Sequence, residues 1–485
     1  MFQKFIGVFA LAAYARLLVP EQLSLIAIYG LFGQLALVMF GFGVVPFIIR
    51  QVPEMIHHNP DHIGAHTRKC YIIAVFAGLA FGLTLYFSLN YIPAFETLKT
   101  ISDTSWAFLI IGLAAQSLNN VQLALLSALK KFKAVAAVTM FMATSTPIII
   151  LILFYFFDSD GILMGLSVAS MLLCGFSRYM LSTNIDIDIS VHKGIETAIL
   201  KTSWPFYMEG FVMFFRRQGD QVVVAFILGD AALGIYFFAK RMVEMMANII
   251  SAADRVISTT LSHRFMTMKE KIAGDFANLM KLAVYFSPLL AIVAAILVPL
   301  YIEIISGDKY IAALIPGIIL CFRVITDVTR GIVIGRMIFV VCEPSVRLKL
   351  TTFEVLIALP AMFIGGYTYG LVGIAFAPII SGVISGIYGV FILRKRLNIT
   401  FPVYDVLLGF MCMFMSLAVV YYFSTYTQSM YLNTILCMLF GGMTYLVMMT
   451  NLVNKKEVST LLKNIVPEKL HVIIHWLFKL RFVRA

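Results

Sequence analysis

FFRRQGDQVVVAFILGDAALGIYFFAKRM, residues 214–242, decides how the chain is read. It is mostly apolar and breaks once, at LGD, so it reads as two membrane-spanning segments joined by a short turn. Yet Arg216, Arg217 and Asp220 sit inside the first segment. Lys240, Arg241 and, two residues past the quotation, Glu244 sit inside the second. A charge at mid-span costs ~2.5–3.5 kcal/mol on insertion scales, so six facing lipid would cost roughly 15–20 kcal/mol. Leucines at ~0.5 kcal/mol each do not recover that. Groups so placed must be paired, or face water, or both.

The rest of the chain has the same character. Of 485 residues, 61% are hydrophobic and 13% charged, the composition of a polytopic membrane protein. The net charge of +12 therefore speaks to topology and not to nucleic acid. The six cysteines are scattered singly in or beside apolar runs, which fits small core residues and not disulfide or zinc chemistry. The first twenty residues, MFQKFIGVFALAAYARLLVP, mimic a signal peptide but are read here as a retained, short first span.

Apolar runs bounded by charged or Pro/Gly/Asn breaks give fourteen candidate spans. They lie near 5–19, 23–49, 70–92, 105–129, 134–157, 161–183, 204–228, 232–257, 277–304, 312–338, 350–368, 370–393, 404–423 and 432–453. One set of connecting loops holds RKC (68–70), KKFK (130–133), SHRFMTMKEK (262–271), Arg347, Lys349 and RKR (394–396). The alternate loops hold Lys99 and Lys309, with Arg16 nearby. The positive-inside rule places the first set, and both termini, in the cytoplasm. Internal loops are expected at 50–69, 184–203 and 258–276. No external loop has room for a folded domain, which argues against an enzyme of the outer face.

The expected class is all-α, with about fourteen helices in two six-helix lobes plus two further C-terminal helices. The divisions are an N-terminal lobe at 1–185, an interlobe loop at 186–203, a C-terminal lobe at 204–396, two further spans within 397–454 and an apolar-basic tail at 455–485. That tail is expected to lie along the inner membrane surface. A loose internal echo supports the two lobes: LLVPEQLSLIAIY (17–29) and ILGDAALGIYFFA (227–239) align at an offset of 210.

ARLLVPEQLSLIAIY, followed by GFGVVPFIIRQVPE, resembles the opening of the polysaccharide transporters, the Wzx-type lipid-linked oligosaccharide flippases of the MOP superfamily. The matching features are Arg16 to Glu21, the G-x-G of Gly41 to Gly43, and Arg50. GDQVVVAFILGDAALGIYFFAKRM similarly resembles the family's seventh and eighth spans. Two departures are Ser24, where glycine is usual, and the short start. The resemblance implies a MATE/MOP-like fold in a bacterial inner membrane. The implied cargo is an undecaprenyl-pyrophosphate-linked oligosaccharide, moved outward by alternating access for O-antigen, capsule or exopolysaccharide synthesis. Polymerase or chain-length proteins of the same pathway are implied partners.

The ionisable residues fit an anionic cargo. Arg216 with Asp220, and Lys240 with Glu244, are four apart and share helix faces. FRVITDVTRG repeats the theme, with Arg323, Asp327 and Arg330 on one stripe. Six cations against three anions leave three positive charges unmatched in the membrane, which calls for water or a bound anion. Arginine suits phosphate through its bidentate, charge-assisted bonds. Arg216, Arg217, Lys240, Arg241, Arg323 and Arg330 are thus candidate pyrophosphate or anionic-sugar ligands. Ion pairing that merely locks helices is the competing explanation.

Asp220, Glu244 and Asp327 are candidates for proton or sodium coupling, and no cofactor is expected. Gln116, Asn119, Asn120 and Gln122 are candidate sugar contacts, or equally bonds between helices. His58, His62 and His66 read as a solvated loop around Pro60, not a metal site, and Glu209 and Glu354 as snorkelling near span ends. No Walker loop, GxGxxG or catalytic triad is present. Other readings are a lipid II flippase, whose cargo is also a pyrophosphate, a MATE-like drug or cation antiporter, disfavoured by the basic cavity, and a membrane polymerase or ligase, disfavoured by the short outer loops.

Overall fold

The computed structural model describes residues 2–58, 62–184, 198–267, 272–397, 399, 401–424 and 430–452. The tail at 455–485 and positions 186–197 of the interlobe loop lie outside the described residues. Helices follow one another as α1 (Phe2–Leu17), α2 (Pro20–Phe40), α3 (Val44–His58), α4 (His62–Ser88), α5 (Glu96–Lys99), α6 (Asp103–Ala128), α7 (Phe132–Asn184) and α8 (Ala198–Thr267). They continue as α9 (Ile272–Ile305), α10 (Leu314–Thr326), α11 (Gly335–Val341), α12 (Pro344–Leu397), α13 (Val403–Ser424), α14 (Met430–Leu436) and α15 (Gly442–Leu452). Among the described residues, ten helices are long and apolar enough to cross a membrane. The protein is an all-α polytopic membrane protein, because a backbone in hydrocarbon satisfies its own N–H and C=O groups only as helix or closed barrel.

Three of the long helices turn back on themselves. In α7 the reversal is at Asp158 (φ 50°, ψ −131°), in α8 at Gly229 (φ 82°, ψ −176°) and in α12 at Gly370 (φ 59°, ψ −137°). The arms then pack antiparallel. Phe141 meets Phe176 across α7 with ring centroids 4.6 Å apart, and Phe353 meets Tyr388 across α12 at 4.9 Å. The Tyr236 hydroxyl reaches Asp220 across α8 at 3.1 Å. Exposed aromatics sit at two of the tips, Tyr155 and Phe156 in α7, Tyr367 and Tyr369 in α12, as expected at a membrane–water boundary.

The chain divides into two compact units, Met1–Phe238 and Ala239–Ala485. In the first, Phe47, Ile48, Cys70, Val121, Leu125 and Leu173 join α3, α4, α6 and α7 in one core. Its connections segregate by charge. One end gathers the turns at Leu18–Val19, Ile92–Ser102, Asp158–Asp160 and Gly229, tied together by Gln22 Nε2 to Asp158 (3.0 Å) and Ser102 N to Asp160 (3.3 Å). The helices carry Arg68, Lys69, Lys130, Lys131 and Lys133 at their opposite ends. These are called the acid end and the basic end below.

In the second unit, Phe276, Met280, Val333, Met337, Leu350 and Leu393 form one core and Tyr285, Cys412 and Tyr445 anchor another. Tyr285 donates to Asp405 (2.6 Å), Lys281 pairs with the same carboxylate (3.6 Å), and Tyr445 donates to the Tyr285 carbonyl (2.7 Å). This cluster fastens α13 and α15 to α9.

Two loop expectations need correction. Positions 50–69 are largely helical: Val44, Phe47, Ile48 and Val52 recur at helical spacing and are buried, so α3 runs to His58. His66 lies buried in α4 with its ring 6.1 Å from Phe47, not in a solvated loop. Positions 258–267 likewise continue α8 as helix.

Close helix packing supplies a test. Gly78 in α4 lies directly on the backbone of Ala114 in α6, whereas Gly175 in α7 has open space beside it. Gly78→Val is expected to cost about 1–3 kcal/mol through overpacking and to lower the unfolding temperature in detergent. Gly175→Val should leave that temperature unchanged, and equal effects of the two would contradict this packing.

Candidate functional site

A cavity of about 490 Å3 opens within the first unit, walled by α2, α3, α6 and the first arm of α8. Its lining follows helical stripes. Tyr207, Gly210, Phe214 and Arg217 come from α8, Asn120, Leu123 and Ser127 from α6, and Gln34, Leu37 and Val38 from α2. From Tyr207 near the basic end to Arg217, the α8 stripe rises ~15 Å at 1.5 Å per residue. Arg217 is thus held at mid-depth, exposed to the cavity in a helix otherwise rich in phenylalanine and valine.

Carboxamides of α2 and α8 bond to one another nearby in sequence and across the cavity wall. Gln218 donates to Gln34 (3.5 Å), and Gln221 donates to Gln218 (2.9 Å). Gln34, Gln218 and Tyr207 were not singled out from the sequence. A lone glutamine in an apolar helix carries little signal until a neighbouring helix shows what it faces. The G-x-G motif acquires a structural reason. Phe42 (φ 45°) and Gly43 (φ 73°) make the left-handed turn that lays α3 beside the basic end of the cavity. Tyr207 closes over that turn, its hydroxyl donating to the Met39 carbonyl (3.4 Å) and its ring 6.0 Å from that of Phe42.

The four candidate amides of α6 separate. Asn120 lines the cavity together with Arg217. Gln116, one turn away on the same stripe, packs over Gly33 of α2. Asn119 is buried and accepts a hydrogen bond from Ser177 of α7 (2.6 Å), and Gln122 is buried beside it, so these two face helix neighbours and not the cavity.

The charges separate too. Asp220 is 2% exposed and accepts from Tyr236, so it lies behind the cavity wall, and Arg216 is half-buried one position round from Arg217. In the second unit, Glu244 binds Arg241, three residues away, at 3.2 Å, where a pair with Lys240 was expected. Arg241 and Glu244 share the exposed side of their helix, while Lys240 is buried.

Arg323 and Asp327 form the expected pair four residues apart, at 3.5 Å. Arg330 does something else. The segment Asp327–Ile334 widens into a π-helix, and Arg330 turns inward to pair with Glu354 of α12 and donate to Ser385 (3.2 Å). π-Turns cluster where a side chain has to be re-aimed. Glu354 is thus not a snorkelling residue: at 8% exposure it is a buried anion that pairs with Arg330.

The family model described as "Polysaccharide biosynthesis protein" matches residues 13–315. No curated protein matches the sequence. Among solved structures, the lipid II flippase MurJ in its inward closed conformation superposes with a TM-score of 0.71 at 17% identity, over 93% of this chain and 97% of that one. A multidrug resistance MATE family transporter of the MOP superfamily, inward-facing, gives 0.65 at 15% identity, over 81% and 94%. A mutant of the Vibrio cholerae MATE transporter VcmN gives 0.52 at 14%, over 82% and 95%. At these identities the likeness is one of fold, the MurJ/MATE-like fold of MOP-superfamily membrane transporters.

The Arg330–Glu354 pair yields a prediction. Glu354→Ala strands a buried guanidinium and should destabilise by about 3–5 kcal/mol, while Arg330→Met with Glu354→Leu should recover most of that. Thermal unfolding of the purified variants checks the ordering. A double variant no more stable than Glu354→Ala would contradict a structural role for the pair.

Proposed function

Because the chain belongs to the polysaccharide biosynthesis protein family, we propose that it is a flippase for an undecaprenyl-pyrophosphate-linked oligosaccharide, moving it from the cytoplasmic to the outer leaflet of the bacterial inner membrane. The observation that carries this reading is one cavity lined by Arg217 together with Asn120 and Gln34. A guanidinium offers a planar fork to phosphate, and carboxamides offer both donors and acceptors to sugar hydroxyls. Amides of α2 and α6 and a cation of α8 thus line one cavity.

The architecture supports a carrier. Among the described residues, ten long apolar helices, three of them doubled back, together with the short α1, support a reading of fourteen crossings. We read these as two six-span lobes at 1–185 and 204–396 with an appended pair within 397–454. The basic end of the first unit is taken as cytoplasmic, by the positive-inside rule. The lipid tail would stay in the bilayer while the pyrophosphate and sugar enter beside Arg217. An inside-negative potential favours outward movement of the anion by ~2.3 kcal/mol per charge per 100 mV. Asp220, buried behind Arg217, is the acid best placed to take up a proton or sodium ion on the return. Glu244 and Asp327 instead hold Arg241 and Arg323. Arg330, satisfied by Glu354, is assigned to the scaffold.

A lipid II flippase is the second reading, and the superposition on MurJ over nearly the full length of both chains favours it. Both cargoes present a pyrophosphate to Arg217, so the sugar decides between them. A MATE-like export of organic cations sits poorly with a guanidinium exposed in the cavity.

Leaflet-resolved transport in proteoliposomes tests the proposal with both cargoes side by side. Arg217→Ala should slow either one about tenfold to a hundredfold, the equivalent of losing a charge-assisted bond or two. Asn120→Ala should change the ratio between cargoes more than the total. Full transport of both cargoes by a well-inserted Arg217→Ala variant would overturn the reading.

A further inference from the structure

At the acid end, the tip of α8 is fastened to a different part of the first unit by a single carboxylate. Asp230 directly follows the reversal at Gly229. Its Oδ2 accepts both the Thr97 backbone N–H (2.7 Å) and the Thr97 hydroxyl (2.6 Å). An aspartate at a helix start ordinarily accepts from its own first turn. This one accepts both short bonds from Thr97 of α5. Asp230 is 7% exposed, and its other oxygen, Oδ1, is buried with no hydrogen-bond partner among the described residues. A turn built only for stability would satisfy both oxygens, because a buried carboxylate oxygen left without a donor is costly.

Two more contacts reinforce the fastening. Gly234, one turn into the second arm, lies directly on the Pro20 carbonyl of α2. Phe95, held left-handed at φ 60°, sets its ring 5.2 Å from Phe32 and 5.8 Å from Phe226, between α2 and the tip. The cavity's lining reaches Tyr207, Ile49 and Ser127 toward the basic end but includes none of these acid-end residues. At the basic end, Tyr207 bonds to the Met39 carbonyl at 3.4 Å. The fastening at the acid end is charge-assisted.

We propose that Asp230 and Thr97 form the latch that keeps the acid-end mouth of the cavity shut, and that their separation is the step that opens it. This rests on the alternating-access reading but not on the identity of the cargo. The carboxylate holds the tip of α8, Gly229 is the pivot, and Gly234 permits the close seat on α2. Loss of the latch shifts the population toward the state open at the acid end without touching the cavity's ligands.

The test reads accessibility, not transport. In the full chain carrying Leu123→Cys, a cavity-lining position, labelling by a membrane-impermeant thiol reagent is timed from each side of the membrane. The chain without that cysteine serves as the blank. Asp230→Ala should raise labelling from the acid-end side about tenfold, the equivalent of one charge-assisted bond, and lower it from the basic side. Thr97→Val should do so less, since the backbone donor survives, and Thr97→Ser should match the unaltered chain. Gly234→Leu, which wedges the tip off Pro20 without removing a charge, should act like Asp230→Ala. Unchanged acid-end labelling in folded Asp230→Ala and Gly234→Leu would overturn the latch and leave the flippase reading standing. A chain that moves no lipid-linked sugar yet shows these shifts would do the reverse.

Discussion

A charge inside hydrocarbon has to be met by a partner, by water or by cargo, and most of this molecule's particular features follow from how it meets that demand. Arg330 is met by Glu354 and Ser385, which requires a widened turn in the helix that carries it. Arg323 and Arg241 are met by acids on their own helices. Asp220 is met by a tyrosine from the facing arm of its hairpin. Arg217 is exposed on the wall of a cavity that Gln34, Asn120, Ser127 and Tyr207 also line.

The fold was legible because hydrophobic run length and basic-loop asymmetry are strong, cumulative signals. The turn at LGD, the short acid-end loops and the doubled segments around 158 and 370 all follow from where twenty apolar residues end. What was not legible depended on side-chain direction. Helix α3 was divided between a span at 23–49 and a loop at 50–69, because a short amphipathic stripe of Val44, Phe47, Ile48 and Val52 merges with the apolar run before it and ends in polar residues. Glu354 looked like a residue at a span end, and nothing in one sequence says that Arg330, on another helix, turns toward it.

The candidate site divides along the same line. Arg217 and Asn120 could be named from the cost of polar groups in a membrane, but so could Asn119 and Gln122. Only the packing shows that Asn119 faces Ser177 while Asn120 faces open space. Gln34, Gln218 and Tyr207 were invisible for the opposite reason: each is chemically ordinary, and its meaning comes from the helix opposite. Asp230 looked like one more turn residue until Thr97, distant in sequence, was found to give it two hydrogen bonds.

An arginine at mid-depth, with Asn120 and Gln34 lining the same cavity, suits an anionic head group. The central claim is that this head group is the pyrophosphate of a lipid-linked sugar. The most direct measurement is the rate at which a labelled polyprenyl-pyrophosphate saccharide changes leaflet in proteoliposomes as the imposed membrane potential is varied. The account predicts faster movement away from the negative side, slowing as the potential is removed and reversing with its sign. Movement that ignores the potential's sign, or transport of organic cations in place of the lipid-linked sugar, would contradict it.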